Sequence, residues 1–298
     1  MLYRAFGLNI ESCIEFPELK TTQGDPDLFI KFGSLSKIDP DAPKGAIRYS
    51  VNEKRFRLQL ESIGVFGVDH GQYITIDIEN GVHPSSVTTV LLGSVFSALL
   101  TQRKIIQLHA SAIKHPKGCV LFAGESGAGK STLATGLMNR GYSILSDDVS
   151  AIDINDEGKP ILIPSYPQMK LWKESVDHFN LDFDALKKID HKYEKRALIV
   201  DKGNFYDQVM PVHRIYFLST NEDIMPKITC IDSIEAFVVL RKCIFRMPFL
   251  QNPQLLKAFF VKATNLLDIV QTRKLIRPNA GLDQFEQFLD LIEADLEQ

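Results

Sequence analysis

The chain is poor in the features that would place it in several functional classes at once. Four cysteines, Cys13, Cys119, Cys230 and Cys243, are spread over 298 residues without a C-x-x-C pair or the spacing of a zinc ribbon. They read as reduced, mostly buried thiols, as in a reducing cytoplasm. Charge of one sign is lacking too: 34 basic against 37 acidic residues give a net charge of −3, which argues against a general nucleic-acid binder. The most apolar run, Val87 to Leu100, contains serine and glycine. It is too short to span a bilayer and reads as a buried helix. The N-terminus has no basic stretch followed by an apolar one, so no signal peptide is expected. No internal repeat or low-complexity segment is visible. What remains is an ordinary globular composition, 45% apolar, in a chain long enough for two domains and expected to be soluble and cytoplasmic.

The first 84 residues predict a small β-rich domain. Tyr3–Ile10, Asp27–Phe32, Ala46–Val51, Arg55–Leu60, Val65–Val68 and Tyr73–Ile78 are strand-like, with turns at Asn52-Glu53 and His70-Gly71. Residues 85–298 predict an α/β domain. A helical period runs from Ser85 to Thr101. Ile105–Ile113 and Gly118–Ala123 are strand candidates, Ser131–Asn139 is a helix with Gly141 as its C-terminal glycine, and Tyr142–Leu145 is the next strand. Further on, Ala151–Ile154, Pro160–Ile163, Ile215–Leu218 and Lys227–Cys230 predict strands. Val176–Lys188, Pro253–Val270 and Asp283–Leu296 predict helices.

Between the strand and the helix lies Gly124-Glu125-Ser126-Gly127-Ala128-Gly129-Lys130-Ser131-Thr132, which fits the P-loop pattern G-x-x-x-x-G-K-[ST]. Glycines let the backbone N–H groups wrap phosphate oxygens, and the helix N-terminus adds unpaired donors and partial positive charge. Lys130 supplies a full charge near the β and γ phosphates, and the Ser131 hydroxyl is placed to ligate Mg²⁺. The implied ligands are ATP and Mg²⁺.

Asp147-Asp148 follows the next strand, at the carboxyl end where open α/β sheets bind ligands. One carboxylate, assigned to Asp147, can hold Mg²⁺ together with Ser131, while the other can take the proton of an attacking hydroxyl. Adjacent strand residues point to opposite faces, so both need not face the phosphate. His109, upstream of the loop strand, can approach the phosphates if its strand pairs beside that one. A lone histidine is also commonly a structural residue.

Together these residues resemble the catalytic domain of HPr kinase/phosphorylase, and the layout is similar to the related P-loop domain of phosphoenolpyruvate carboxykinase. The resemblance covers about residues 105–150: His109, the loop Gly124–Ser131, Arg140-Gly141 and Ser146-Asp147-Asp148. Pro211–Leu218 and Leu275-Ile276-Arg277-Pro278 look like shorter, divergent HPr-kinase-like proteins, among them lasso peptide kinases that phosphorylate a serine of the precursor. The resemblance implies catalytic roles for His109, Lys130, Asp147 and Asp148, with Asp148 favoured as the base. It implies an acceptor that is a serine-bearing protein or peptide, and a homo-oligomer is expected. The downstream signature of the bifunctional enzymes, with its metal-binding glutamate, does not align. Tyr193–Met210 is the nearest counterpart, with Glu194 a candidate ligand and Lys195-Arg196 either phosphate contacts or a solvated pair. Arg241, Arg246 and Arg277 suit oxyanions but read more simply as surface charges. Trp172 fits either a core or a cleft wall.

Two other functions fit the same residues: a small-molecule kinase acting on a hydroxylated metabolite, and a non-catalytic nucleotide sensor. The acid pair and His109 count against the sensor, which needs no acceptor-side base.

Overall fold

The computed structural model describes residues 1–36, 38, 47–189, 194–221, 225–278, 282 and 284–298. Ala46, Tyr193 and Asp283, each an end of an expected segment, lie outside them. The chain forms two compact units: residues 1–107 with 245–262, and residues 108–244 with 263–298. The division expected at 84/85 therefore falls inside the first unit.

That unit is built on an eight-stranded sheet. In chain order its strands are β1 (Leu2–Ala5), β2 (Leu8–Ser12), β3 (Lys20–Thr21), β4 (Leu28–Phe32), β5 (Ile47–Val51), β6 (Arg55–Leu60), β7 (Gly64–Asp69) and β8 (Tyr73–Ile78). Their spatial order is β3-β1-β2-β4-β8-β7-β6-β5. The two central pairings, β2 with β4 and β4 with β8, are parallel. The single strand expected over Tyr3–Ile10 is a hairpin, because Phe6 and Gly7 both take positive φ, 50° and 71°, as a tight primed turn requires.

The apolar helix follows as α1 (Pro84–Val90), a π-helical turn (Leu91–Val95) and α2 (Phe96–Gln102). It is longer than the sequence reading allowed, and its 19 residues are long and apolar enough to cross a membrane by length and composition. Here it is a core helix. Val87, Leu91, Val95, Phe96, Leu99 and Leu100 are buried, and the Gln102 amide brackets the β7–β8 turn, donating to Val68 O and accepting from Gly71 N.

The unit boundary falls within β9 (Ile106–Leu108). The strand expected over Ile105–Ile113 is broken at His109, and β10 (Ala110–His115) begins beyond it. The second unit then runs β11 (Gly118–Ala123), α3 (Lys130–Asn139), β12 (Ile144–Ser146), β13 (Ser150–Ile154), β14 (Pro160–Ile163), β15 (Gln168–Trp172), α4 (Lys173–His178), β16 (Lys187–Lys188), β17 (Lys195–Ile199), β18 (Met210–Asn221), β19 (Lys227–Cys230), α5 (Ser233–Lys242), β20 (Gln271–Pro278) and α7 (Phe285–Glu297). Between α5 and β20, α6 (Pro253–Ile269) lies across the unit boundary.

The main sheet is mixed. The fully buried β11 lies between β10, antiparallel, and β18, parallel. β12 pairs with β10, so it lies one strand away from the loop strand. A separate three-stranded sheet has the order β15-β17-β16.

Two features of this unit depart from the sequence reading. The helix expected over Val176–Lys188 is only α4. Asn180 takes left-handed φ (53°), and Leu181 N bonds back to Val176 O, which closes the helix. The strands β15, β17 and β20 and the helix α5 were not anticipated. Of the four free cysteines, Cys119 and Cys243 are buried, while Cys13 and Cys230 are exposed.

Candidate functional site

The strand β11 delivers Gly124, and α3 begins at Lys130. Gly127 and Gly129 carry φ of 84° and 98°, values that side-chain-bearing residues rarely adopt. Gly129 is also the N-cap of α3, so the loop turns directly into the helix N-terminus. Lys130 is buried at 5% exposure, and its ammonium donates to Gly124 O (2.9 Å) and Glu125 O (2.7 Å). Burial lowers its pKa to about 8, against the raising influence of Asp147 and Asp148.

Asp147 is the hub of an oxygen cluster. Its Oδ1 accepts from Ser131 Oγ (2.8 Å) and Ser111 Oγ (2.5 Å), and its Oδ2 accepts from the Lys170 backbone N (2.8 Å). Ser111 and Lys170 were not singled out in the sequence. The apolar neighbours Ala110, Ala112 and Ile113 could have flagged Ser111, a polar residue in the buried first part of β10. Nothing in the sequence marked Lys170, which lies on a strand that was itself missed.

Asp148 sits in a three-residue turn closed by Val149 N to Asp147 O (2.8 Å), with φ of 67°. Such a turn is rare and strained for a residue with a side chain. Its effect is to break strand alternation, so that both carboxylates reach Lys170 rather than opposite faces. The Asp148 carboxylate accepts from Lys170 Nζ at 2.6 Å, and its Oδ1 lies 3.4 Å from His109 Nδ1. Burial by itself would raise the Asp148 pKa. The Lys170 charge, with the hydrogen bond it donates, outweighs burial and holds the carboxyl well below the usual range. Lys170 is the mirror case: burial alone would lower its pKa, and the Asp148 charge pushes it above the ordinary lysine value.

His109 occupies the break between β9 and β10, where its backbone N donates to Cys243 O and its carbonyl accepts from Gly124 N. Its Nδ1 also lies 2.9 Å from Asp148 O, the geometry of an Nδ1–H donor. Burial, then the Lys130 charge, lowers its pKa and favours the neutral ring.

His109, Lys130, Ser131, Asp148 and Lys170 line an open cleft whose walls also include Ser126, Gly127, Gly129, Trp172 and Lys195. Thr132 lines it too, with its hydroxyl 2.8 Å from Ser175 Oγ. Glu125 is exposed and Ala128 half-buried on the loop. Trp172 is a cleft wall, with Lys195 Nζ 4.5 Å above its ring. Arg196 instead stacks on Phe183, and Glu194 is exposed with its carbonyl bonded to Lys173 N. Arg277, read as a surface charge, lies on the loop: its Nε donates to Ala128 O at 3.1 Å. Arg241 is exposed on α5, and Arg246 is exposed in the first unit.

The residues present suit Mg²⁺. Ser131 Oγ and Asp147 Oδ1 already touch, and one hydroxyl with one carboxylate is the kind of donor set that Mg²⁺ completes with phosphate oxygens and water. Among the described residues, no group of three or more His, Cys, Asp and Glu converges as a protein-only metal cage.

No family model matches the chain. A curated HPr kinase/phosphorylase from Prosthecochloris aestuarii (strain DSM 271 / SK 413) is 34% identical over 110 residues, which are 37% of this chain and 29% of that protein. The match thus spans less than a third of the relative's length. The solved structure of the HPr(Ser) kinase/phosphatase from Coxiella burnetii aligns with 63% of this chain and 89% of that one, at 13% identity and a TM-score of 0.33. A likeness at that level fixes neither register nor site residues. By its sequence match, the chain is HPr kinase-like over 37% of its length.

Proposed function

We propose that the second unit is an HPr kinase-like P-loop domain, similar also to that of phosphoenolpyruvate carboxykinase. It would bind ATP with Mg²⁺ at Gly124–Thr132 and transfer the terminal phosphate to a serine hydroxyl of a protein or peptide. One observation carries this reading: beside the glycine loop stand two acids in different settings, a buried Asp147 and an Asp148 that lines the cleft. Asp147 is bonded to Ser131, and Asp148 is tied to Lys170 and His109.

The loop N–H groups and the α3 N-terminus receive the phosphates, and Lys130 turns from the loop carbonyls to their charge. Ser131 and Asp147 hold Mg²⁺, which when bound neutralises charge on the phosphate oxygens. Asp148 is firmly anionic, hence a weak base but a strong acceptor. It orients the incoming hydroxyl and takes its proton late, which suits a loose phosphoryl-transfer transition state with little demand for early deprotonation. The HPr kinase-like sequence match favours a protein acceptor over a small molecule, because that relative's name denotes action on a protein.

The test is transfer from labelled Mg-ATP to a panel of serine-bearing proteins and peptides, with hydroxylated metabolites run in parallel. Phosphoserine is the expected product. Asp148→Asn is expected to lower the rate by about 10²–10⁴-fold while nucleotide still binds. Undiminished transfer by that variant removes the acceptor-side role from Asp148. Turnover on metabolites alone moves the substrate to the small-molecule class.

A further inference from the structure

Among the described residues, Lys170 hydrogen-bonds both carboxylates, and it does so with different atoms. Its backbone N binds Asp147 Oδ2 at 2.8 Å, and its ammonium binds Asp148 Oδ2 at 2.6 Å. The other oxygen of Asp147, Oδ1, accepts from the Ser111 and Ser131 hydroxyls, whereas the other oxygen of Asp148, Oδ1, faces His109. Each carboxylate therefore has its own partners. At Asp147 those partners are neutral, two hydroxyls and a backbone N–H, whereas at Asp148 an ammonium that the chain provides is the partner. A second divalent ion on Asp148 would lie against that ammonium.

We propose that Lys170 is a positioning residue that serves as the built-in cation of Asp148, so that the site takes one divalent ion, at Ser131 and Asp147, and keeps Asp148 for the acceptor hydroxyl. This rests on the nucleotide-binding reading above. Phosphoryl-transfer sites of other kinds meet the same electrostatic need with two metal ions. The backbone bond to Asp147 does not depend on the side chain, so changing Lys170 should disturb Asp148 and spare the Ser131–Asp147 seat.

The test counts Mn²⁺ by electron paramagnetic resonance on the full chain with a non-hydrolysable ATP analogue. One Mn²⁺ per nucleotide is expected. Lys170→Glu, which exchanges the ammonium for a third carboxylate, is expected to bind a second. Lys170→Met is expected to keep nucleotide affinity within about 3-fold and the single Mn²⁺. Its transfer kcat should drop about 100-fold at little changed KM for ATP, and Lys170→Arg should recover a large part of that loss. Thermal unfolding of each variant identifies any that fail to fold, and the wild-type count needs no variant. Nucleotide bound with two Mn²⁺ by the wild type overturns this inference alone, as does undiminished kcat in a folded Lys170→Met. A wild type that binds no nucleotide overturns the nucleotide reading and this inference with it.

Discussion

At the scale of single residues, the site works by giving chemically identical groups different neighbours. Asp147 has hydroxyls on one oxygen, and Asp148 has an ammonium and an imidazole. Ser131→Ala should therefore weaken nucleotide binding in the presence of Mg²⁺ and change it little in EDTA; calorimetry with and without the metal checks this. An equal loss in both conditions would place the hydroxyl on phosphate instead. Another side chain, remote from the cleft, depends on its neighbours in the same way. Arg214 is 1% exposed and joins Gln271 Oε1, the Tyr216 hydroxyl and the Asp295 carboxylate. Removing one partner of a buried ion pair leaves the other uncompensated, so Arg214→Met should cost about 3 kcal/mol in denaturant unfolding. The loop and both acids were legible in the sequence because their letters have fixed spacing. Ser111 and Lys170 were not, because their part in the site exists only once β10 and β15 are folded beside Asp147.

At the scale of elements, α3 both continues the glycine loop and packs into the core of the second unit. Its Gly136 faces α7, where an added Cβ would lie 2.6 Å from Phe285 Cε1 and 2.9 Å from Leu289 Cδ1. The Phe285 ring is hemmed in by His178 and Phe179, with centroids 5.0 and 5.8 Å away. Glycine to alanine inside a helix gains up to about 1 kcal/mol of propensity, whereas overpacking a core costs about 1–3 kcal/mol. The clash wins, and Gly136→Ala should lower the thermal midpoint; a raised midpoint would mean that α7 moves aside freely. The sequence announced α3 and α7 through apolar spacing and the loop motif. It misassigned Val176–Lys188, whose helical letters are overruled at Asn180 by a left-handed residue and a backward bond. It missed β20 because Gln271–Pro278 carries three cations, and its strand character comes from its place beside β18.

At the scale of the whole molecule, linear order and compact units diverge. The β-rich start of the chain was legible from its evenly spaced strands, but the end of the first unit was not. The helical period beginning at Ser85 looked like a new domain, whereas α1 and α2 belong with the sheet before them. Phe96 lies 5.9 Å from Phe6, and Arg103 donates to Gly71 O and Asp27 O. Residues 245–262 then return to the same unit, a connection that no local pattern announces. A fragment beginning at residue 85 would keep this apolar helix and lose its sheet. Each large side chain so uncovered forfeits about 1.5–3 kcal/mol of burial, and at least Val87, Leu91, Val95, Phe96, Leu99 and Leu100 are involved. The 85–298 fragment should therefore elute as aggregate in size-exclusion chromatography and bind a hydrophobic dye that the full chain does not. A monodisperse fragment with undiminished nucleotide affinity would show that the helix finds cover without the sheet, and would restore the division at 84/85 read from the sequence.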